Sequence, residues 1–154
     1  IVDARARRRR VLLTLPIIAA FVLSAGGAVR VRRDSFAVRM EWGVQRLDAG
    51  DLDGARADFA QAARTRPDSA EAHFMLGYVG FSQGDYEAAA RSFEKAVSLR
   101  EDWGEARWNL ALVYVRLGQY PAAARHLQVY LSLVGSSAER REAQRLLDEL
   151  SQRR

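Results

Sequence analysis

The feature of this sequence that most narrows its fold is a self-match at an offset of 34 residues. At that offset Trp42, Leu76 and Leu110 coincide, as do Gly43, Gly77 and Ala111. So do Gly50, Gly84 and Gly118, then Ala55, Ala89 and Ala123, then Phe59, Phe93 and Leu127. A fixed period of this length means that each unit is one supersecondary element, able to bury its apolar face only by stacking on its neighbours. Within each unit an apolar and a small residue adjoin on a first helix, and a glycine then reverses the chain. A small and then a bulky residue follow on a second helix. Small residues let two antiparallel helices approach closely, and bulky ones fill the space left between them. The period sets the units at 34–67, 68–101 and 102–135.

Punctuation repeats as well. Asp34, Asp68 and Asp102 precede the three first helices, and Glu71 and Glu105 follow three residues after the second and third. This is capping-box spacing, with Asp as the expected cap. Beyond the third unit, Gly135-Ser136-Ser137-Ala138-Glu139 reads as a turn and a capping box. Ala143, Leu146, Leu147 and Leu150 follow at helical spacing. The segment 136–154 is therefore read as a helix covering the apolar end of the last unit. Its charged face holds Arg140, Arg141, Glu142, Arg145, Asp148 and Glu149. A docking helix is the alternative.

Ahead of the repeats, Val11 to Val29 runs without a charge. As a helix it would be about 28 Å long, enough to span a bilayer core. Arg5, Arg7, Arg8, Arg9 and Arg10 precede it, and Arg30, Arg32 and Arg33 follow it. Guanidinium groups so placed reach lipid headgroups. The expectation is a basic flank at 1–10, a transmembrane helix at 11–29 and a basic juxtamembrane linker at 30–33. Five arginines against three favour a cytoplasmic N-terminus, which in a bacterial inner membrane places the repeats in the periplasm. The four-residue linker reaches at most about 14 Å, so an anchored chain holds its first unit at the membrane surface. The same pattern, with small residues at Ser24 to Ala28, also fits a cleaved secretory signal, which would release a soluble adaptor.

A net charge of +5 suggests nucleic acid only until the charge is located. Residues 1–33 hold eight arginines and one acid, net +7, which leaves −2 over the remainder. A nucleic-acid binder spreads its cations over a folded face, so nucleic acid is not an expected partner. The absence of cysteine excludes disulfides, thiolate metal sites and a cysteine nucleophile. His73 and His126, the two histidines, lie in different units with no acid or serine cluster at ligand or triad spacing. The glycines recur as turn punctuation rather than as a phosphate loop. No catalytic residue, metal site or cofactor is expected, and the chain is not expected to be an enzyme.

The repeated residues, and the stretch AEAHFMLGYVGFSQGDYEAAARSFEKAVSL in particular, resemble the tetratricopeptide-repeat (TPR) family over about Asp34 to Leu133. Pro67 closes the first unit where such repeats usually carry a proline. Arg39, His73 and Arg107 stand where the family usually has a bulky apolar residue, and Gly80 where it has an aromatic. The resemblance implies an all-α TPR solenoid of three helix-turn-helix repeats plus a C-terminal capping helix, here preceded by one transmembrane helix.

In that family the first helices of successive repeats line a concave groove, which receives a peptide or helix from a partner protein. The residues resembling the groove-facing ones are Met40, Val44, Phe74, Tyr78, Trp108 and Leu112. Each pair is four residues apart and shares one helix face, so successive pairs would form a ladder bordered by Glu71 and Glu105. Packing within the solenoid is the alternative for these side chains. Repeats that clamp a C-terminal carboxylate present Lys, Arg and Asn inward, whereas these are apolar, so an apolar or amphipathic helix is the expected ligand. Trp103, in an inter-repeat turn, is either a second contact or a lid on a helix end. The expected partners are proteins, in an integral membrane complex that is respiratory, photosynthetic or secretory, with the chain as an accessory subunit. The alternative is a transient periplasmic assembly factor or chaperone for membrane or exported proteins.

Overall fold

The structure is a computed structural model, and it describes residues 35–152. The expected span 11–29, its flanking arginines and the Asp34 cap lie outside the described residues. Among the described residues no helix is long and apolar enough to cross a membrane.

Among the described residues seven helices follow one another: α1 Ser35–Asp48, α2 Leu52–Thr65, α3 Ala70–Gln83, α4 Tyr86–Leu99, α5 Gly104–Arg116, α6 Tyr120–Leu133 and α7 Ser137–Ser151. The first six pair as α1–α2, α3–α4 and α5–α6, and each second helix also packs on the first helix of the next pair. The helix pairs form because the second helices carry alanine where first helices approach them. Ala55, Ala62, Ala89, Ala96 and Ala123 are all fully buried. Phe59, Phe93 and Leu127 fill the space between partners, at 0%, 1% and 0% exposure.

Gly50, Gly84 and Gly118 turn the chain between paired helices with φ of 80°, 77° and 71°. A residue with a Cβ adopts that left-handed conformation only at a cost, which is why glycine recurs there. The helix that follows is capped by the next acid in two of the three pairs. Asp51 accepts from Gly54 N at 2.9 Å, and Asp85 accepts from Ala88 N at 3.1 Å. These two hydrogen bonds answer donors that a helix start leaves unpaired. In the third pair Gln119 makes no such bond, and Pro121 stands in the first turn.

The caps between pairs differ from the expectation. Asp68 is not the cap of α3; Ser69 is, its Oγ accepting from Ala72 N at 3.2 Å. Asp102 is not the cap of α5; that position is Trp103, which has no acceptor to offer. The reason is a tight turn in which Ser69 N bonds Arg66 O and Trp103 N bonds Arg100 O, leaving each aspartate inside the turn. Ser136 holds the cap position of α7 without a side-chain bond.

A different device ties the starts of α3, α5 and α7. His73 Nε2 donates to Pro67 O at 3.0 Å, Arg107 Nε to Glu101 O at 2.7 Å and Arg140 Nη2 to Val134 O at 2.8 Å. Each bond reaches six residues back. The polar residues that depart from the family's apolar habit, His73 and Arg107, thus close the inter-repeat turns.

Candidate protein-interaction groove

The six groove candidates separate into two sets. Val44 and Tyr78, one repeat apart, are 37% and 40% exposed, and Leu112 in the third repeat is half-buried. Val44 and Tyr78 keep an open face, and Leu112 a partial one. The set four residues earlier does not. Phe74 is buried, with its ring edge-on to Phe93 at 5.4 Å and stacked on Trp103 at 4.5 Å. Met40 packs against Ala62 and the Phe59 cluster. Trp108 is half-buried against the Ala123–Leu127 cluster and lies 5.2 Å from the Tyr130 ring. Met40, Phe74 and Trp108 thus help to join elements of the solenoid, while Val44 and Tyr78 are the more exposed of the six.

Trp103 is held from two sides. Phe74 stacks on it at an interplanar angle of 23°, and the Arg100 guanidinium lies 4.2 Å from its centroid. Arg100 in turn pairs with Glu71, so one of the two acids expected to border the groove is neutralised within the chain. Aromatic stacking and cation–π contact replace the missing side-chain cap at the start of α5.

A tetratricopeptide-repeat family model matches residues 40–106 and 81–139. The chain belongs to the TPR family. Solved TPR structures share its architecture. The TPR domain of P58(IPK) superposes with a TM-score of 0.70 at 25% identity, covering 76% of this chain and 33% of that one. This chain thus spans about a third of that relative's length. The TPR2B domain of yeast Sti1, in a complex with pHsp70, superposes with a TM-score of 0.70 at 16% identity, covering 78% of this chain and 98% of that one. The Yersinia enterocolitica type III secretion chaperone SycD, in complex with a peptide of the translocator YopD, has a TM-score of 0.70 at 14% identity, covering 79% and 96%. No curated protein matches. The TPR fold is typically a non-enzymatic protein-interaction module.

Sequence reasoning missed one group inside this TPR array. Asp58 on α2 is 1% exposed, and two arginines of α1 meet it. Arg39 Nη1 donates to its Oδ1 at 2.6 Å, while Arg46 Nη1 lies 2.9 Å from Oδ2 as an ion pair not aligned for a hydrogen bond. A buried carboxylate is tolerated only when paired in this way. The signal was available. Arg39 and Arg46 lie seven apart on one helix face, and the residues matching Asp58 in the later repeats, Ser92 and His126, are also polar.

The third repeat fills the same place differently. The His126 ring lies over that of Tyr114, 5.6 Å between centroids and 16° from parallel. Tyr114 donates its hydroxyl to Glu94. Burial, then the Glu94 hydrogen bond and charge, push the phenol up to about 12. His126 is held below the ordinary imidazole value, first by burial and then by the charges of Arg107 and Arg125, against the opposing charge of Glu94. A lone histidine and a phenol held protonated make a structural contact here, not an acid–base pair.

Proposed function

We propose that this chain is a protein-interaction scaffold that receives an apolar or amphipathic helix of a partner across Val44, Tyr78 and Leu112. The observation that carries this reading is the exposure of Val44 and Tyr78, 37% and 40%, at matching places one repeat apart. Apolar side chains left open in series on successive first helices are usual marks of an interaction site. TPR relatives bound to protein ligands, among them SycD with its YopD peptide and Sti1 with pHsp70, support a protein as the partner.

On this reading the segment 11–29 anchors the chain in a bacterial inner membrane, with Arg5, Arg7, Arg8, Arg9, Arg10, Arg30, Arg32 and Arg33 at the lipid headgroups and the repeats on the periplasmic side. The chain then acts as an accessory subunit of a larger membrane complex, respiratory, photosynthetic or secretory. The uncharged stretch flanked by arginines supports the anchor. A transient assembly factor or chaperone for membrane or exported proteins is the second reading. It is favoured by the open state of the Val44 and Tyr78 rungs, which suits clients that come and go.

Affinity purification of the full chain in mild detergent, followed by mass spectrometry, tests the proposal. A stoichiometric membrane complex supports the subunit reading, and substoichiometric exported clients support the chaperone. Partners retained at full level by a folded Val44→Ala, Tyr78→Ala, Leu112→Ala variant would overturn the groove assignment.

A further inference from the structure

The helix α7 is built like the first helix of a repeat. Arg140 bonds the carbonyl six residues back, as Arg107 and His73 do at the starts of α5 and α3. Setting Arg140 on Arg107 puts fully buried Ala143 where α5 has fully buried Leu110. It also puts partly buried Leu146 where α5 has buried Val113. One position departs from the earlier first helices. The place that Gly43, Gly77 and Ala111 keep small for a second helix is taken by Gln144, exposed and bonded to Asp148 at 2.9 Å.

In this register Arg141 stands where α5 has Trp108, and Arg145 stands where it has Leu112. Both are exposed and four residues apart, so they share one face of α7. Among the described residues neither makes an ion pair or hydrogen bond, whereas the arginines around them are engaged. Arg140 and Arg107 hold carbonyls, and Arg100 pairs with Glu71. We infer that the interaction groove continues onto α7 and presents there a basic rung, Arg141 and Arg145, which receives the acidic end of the bound helix.

This rests on the groove reading above and adds the polarity of the ligand. Its occupant is an amphipathic helix of a partner protein, with an apolar stripe over Val44, Tyr78 and Leu112 and carboxylates in one terminal turn. Guanidinium groups suit that role because each offers a planar fork of donors to a carboxylate.

The test uses the full chain in detergent and synthetic 20-residue helices with one leucine stripe. They carry three Glu, three Gln or three Lys in one terminal turn, at either end. Fluorescence anisotropy at low salt should show the Glu helix, in one orientation, binding about three- to tenfold tighter than the Gln helix. The preference should vanish in R141Q/R145Q and pass to the Lys helix in R141E/R145E, with unchanged melting because both side chains are free. Equal binding of Glu and Gln helices, lost together in Tyr78→Ala, would overturn the basic rung and leave the groove standing. A Glu preference that survives R141Q/R145Q would overturn it too. No binding by any of the helices would overturn both readings.

Discussion

The ring of Phe93 occupies the space a side chain on Gly77 would need: a Cβ built there lies 2.7 Å from the ring. Gly43 and Phe59 stand in the same relation at 2.5 Å, and in the third repeat the pair becomes Ala111 and Leu127. The chain thus shows two solutions to one packing problem, a smaller floor under a larger ring and the reverse. Gly77→Ala should destabilise the fold by about 1–3 kcal/mol through overpacking, despite the helix propensity it gains. Phe93→Leu should cost up to about 1.5 kcal/mol. Together they recreate the Ala111–Leu127 pair, so the double variant should lose clearly less than the sum. Urea unfolding of the four proteins gives the coupling; strict additivity would show that the ring, not the helix spacing, can move aside.

The Arg39–Asp58–Arg46 group predicts an asymmetry. Asp58 is buried, while Arg39 and Arg46 keep side-chain exposures of 39% and 46%. Removing the acid lets both arginines turn to water, so Asp58→Ala should cost about 1–3 kcal/mol. Removing both arginines strands the carboxylate, and Arg39→Ala with Arg46→Ala should cost about 3–5 kcal/mol. Denaturation midpoints at pH 7 decide the order. A double arginine variant as stable as Asp58→Ala would mean that water reaches Asp58.

How much of this was legible beforehand follows from what repeats. The helix pairs, the turn glycines and the small-under-large contacts recur three times, and one period revealed them all. The caps were misplaced by one residue because Asp68 and Asp102 carry the preferred chemistry while the turn geometry gives the position to Ser69 and Trp103. Asp58 was overlooked because a polar pair between helices leaves no mark in hydrophobic spacing. The groove candidates were a face of each first helix, and spacing alone could not say that Trp103, from the following repeat, would cover Phe74 and leave Tyr78 open.

That division sets opposite outcomes for two aromatic residues four positions apart. Phe74→Ala should cost about 3–5 kcal/mol of stability, because it opens a cavity against Phe93 and strips a face of Trp103. Tyr78→Ala should change stability by no more than about 0.5 kcal/mol and should weaken partner binding by about 1–2 kcal/mol. Thermal melts and binding titrations on the two variants separate the roles. If Tyr78→Ala melts as low as Phe74→Ala, its ring belongs to the core.

His126 makes the third repeat sensitive to acid. Its Nδ1 is buried without a hydrogen-bond partner among the described residues, so the fold holds the ring most easily when it is neutral. The folded pKa lies below the ordinary value, chiefly through burial and then through Arg107 and Arg125. The unfolded chain therefore takes up the proton first, near pH 6.5, and the proton favours the unfolded state. Stability from this group is intact above about pH 6.5 and declines as pH falls from there toward the lower folded value. Other groups titrate in the same range, so the comparison must be with His126→Gln, which cannot charge. The stability of the native chain relative to that variant should be higher at pH 7.5 than at pH 5.5. A relative stability that is the same at both values, read by urea unfolding, would show that the imidazolium reaches water or Glu94 without loosening α5 from α6.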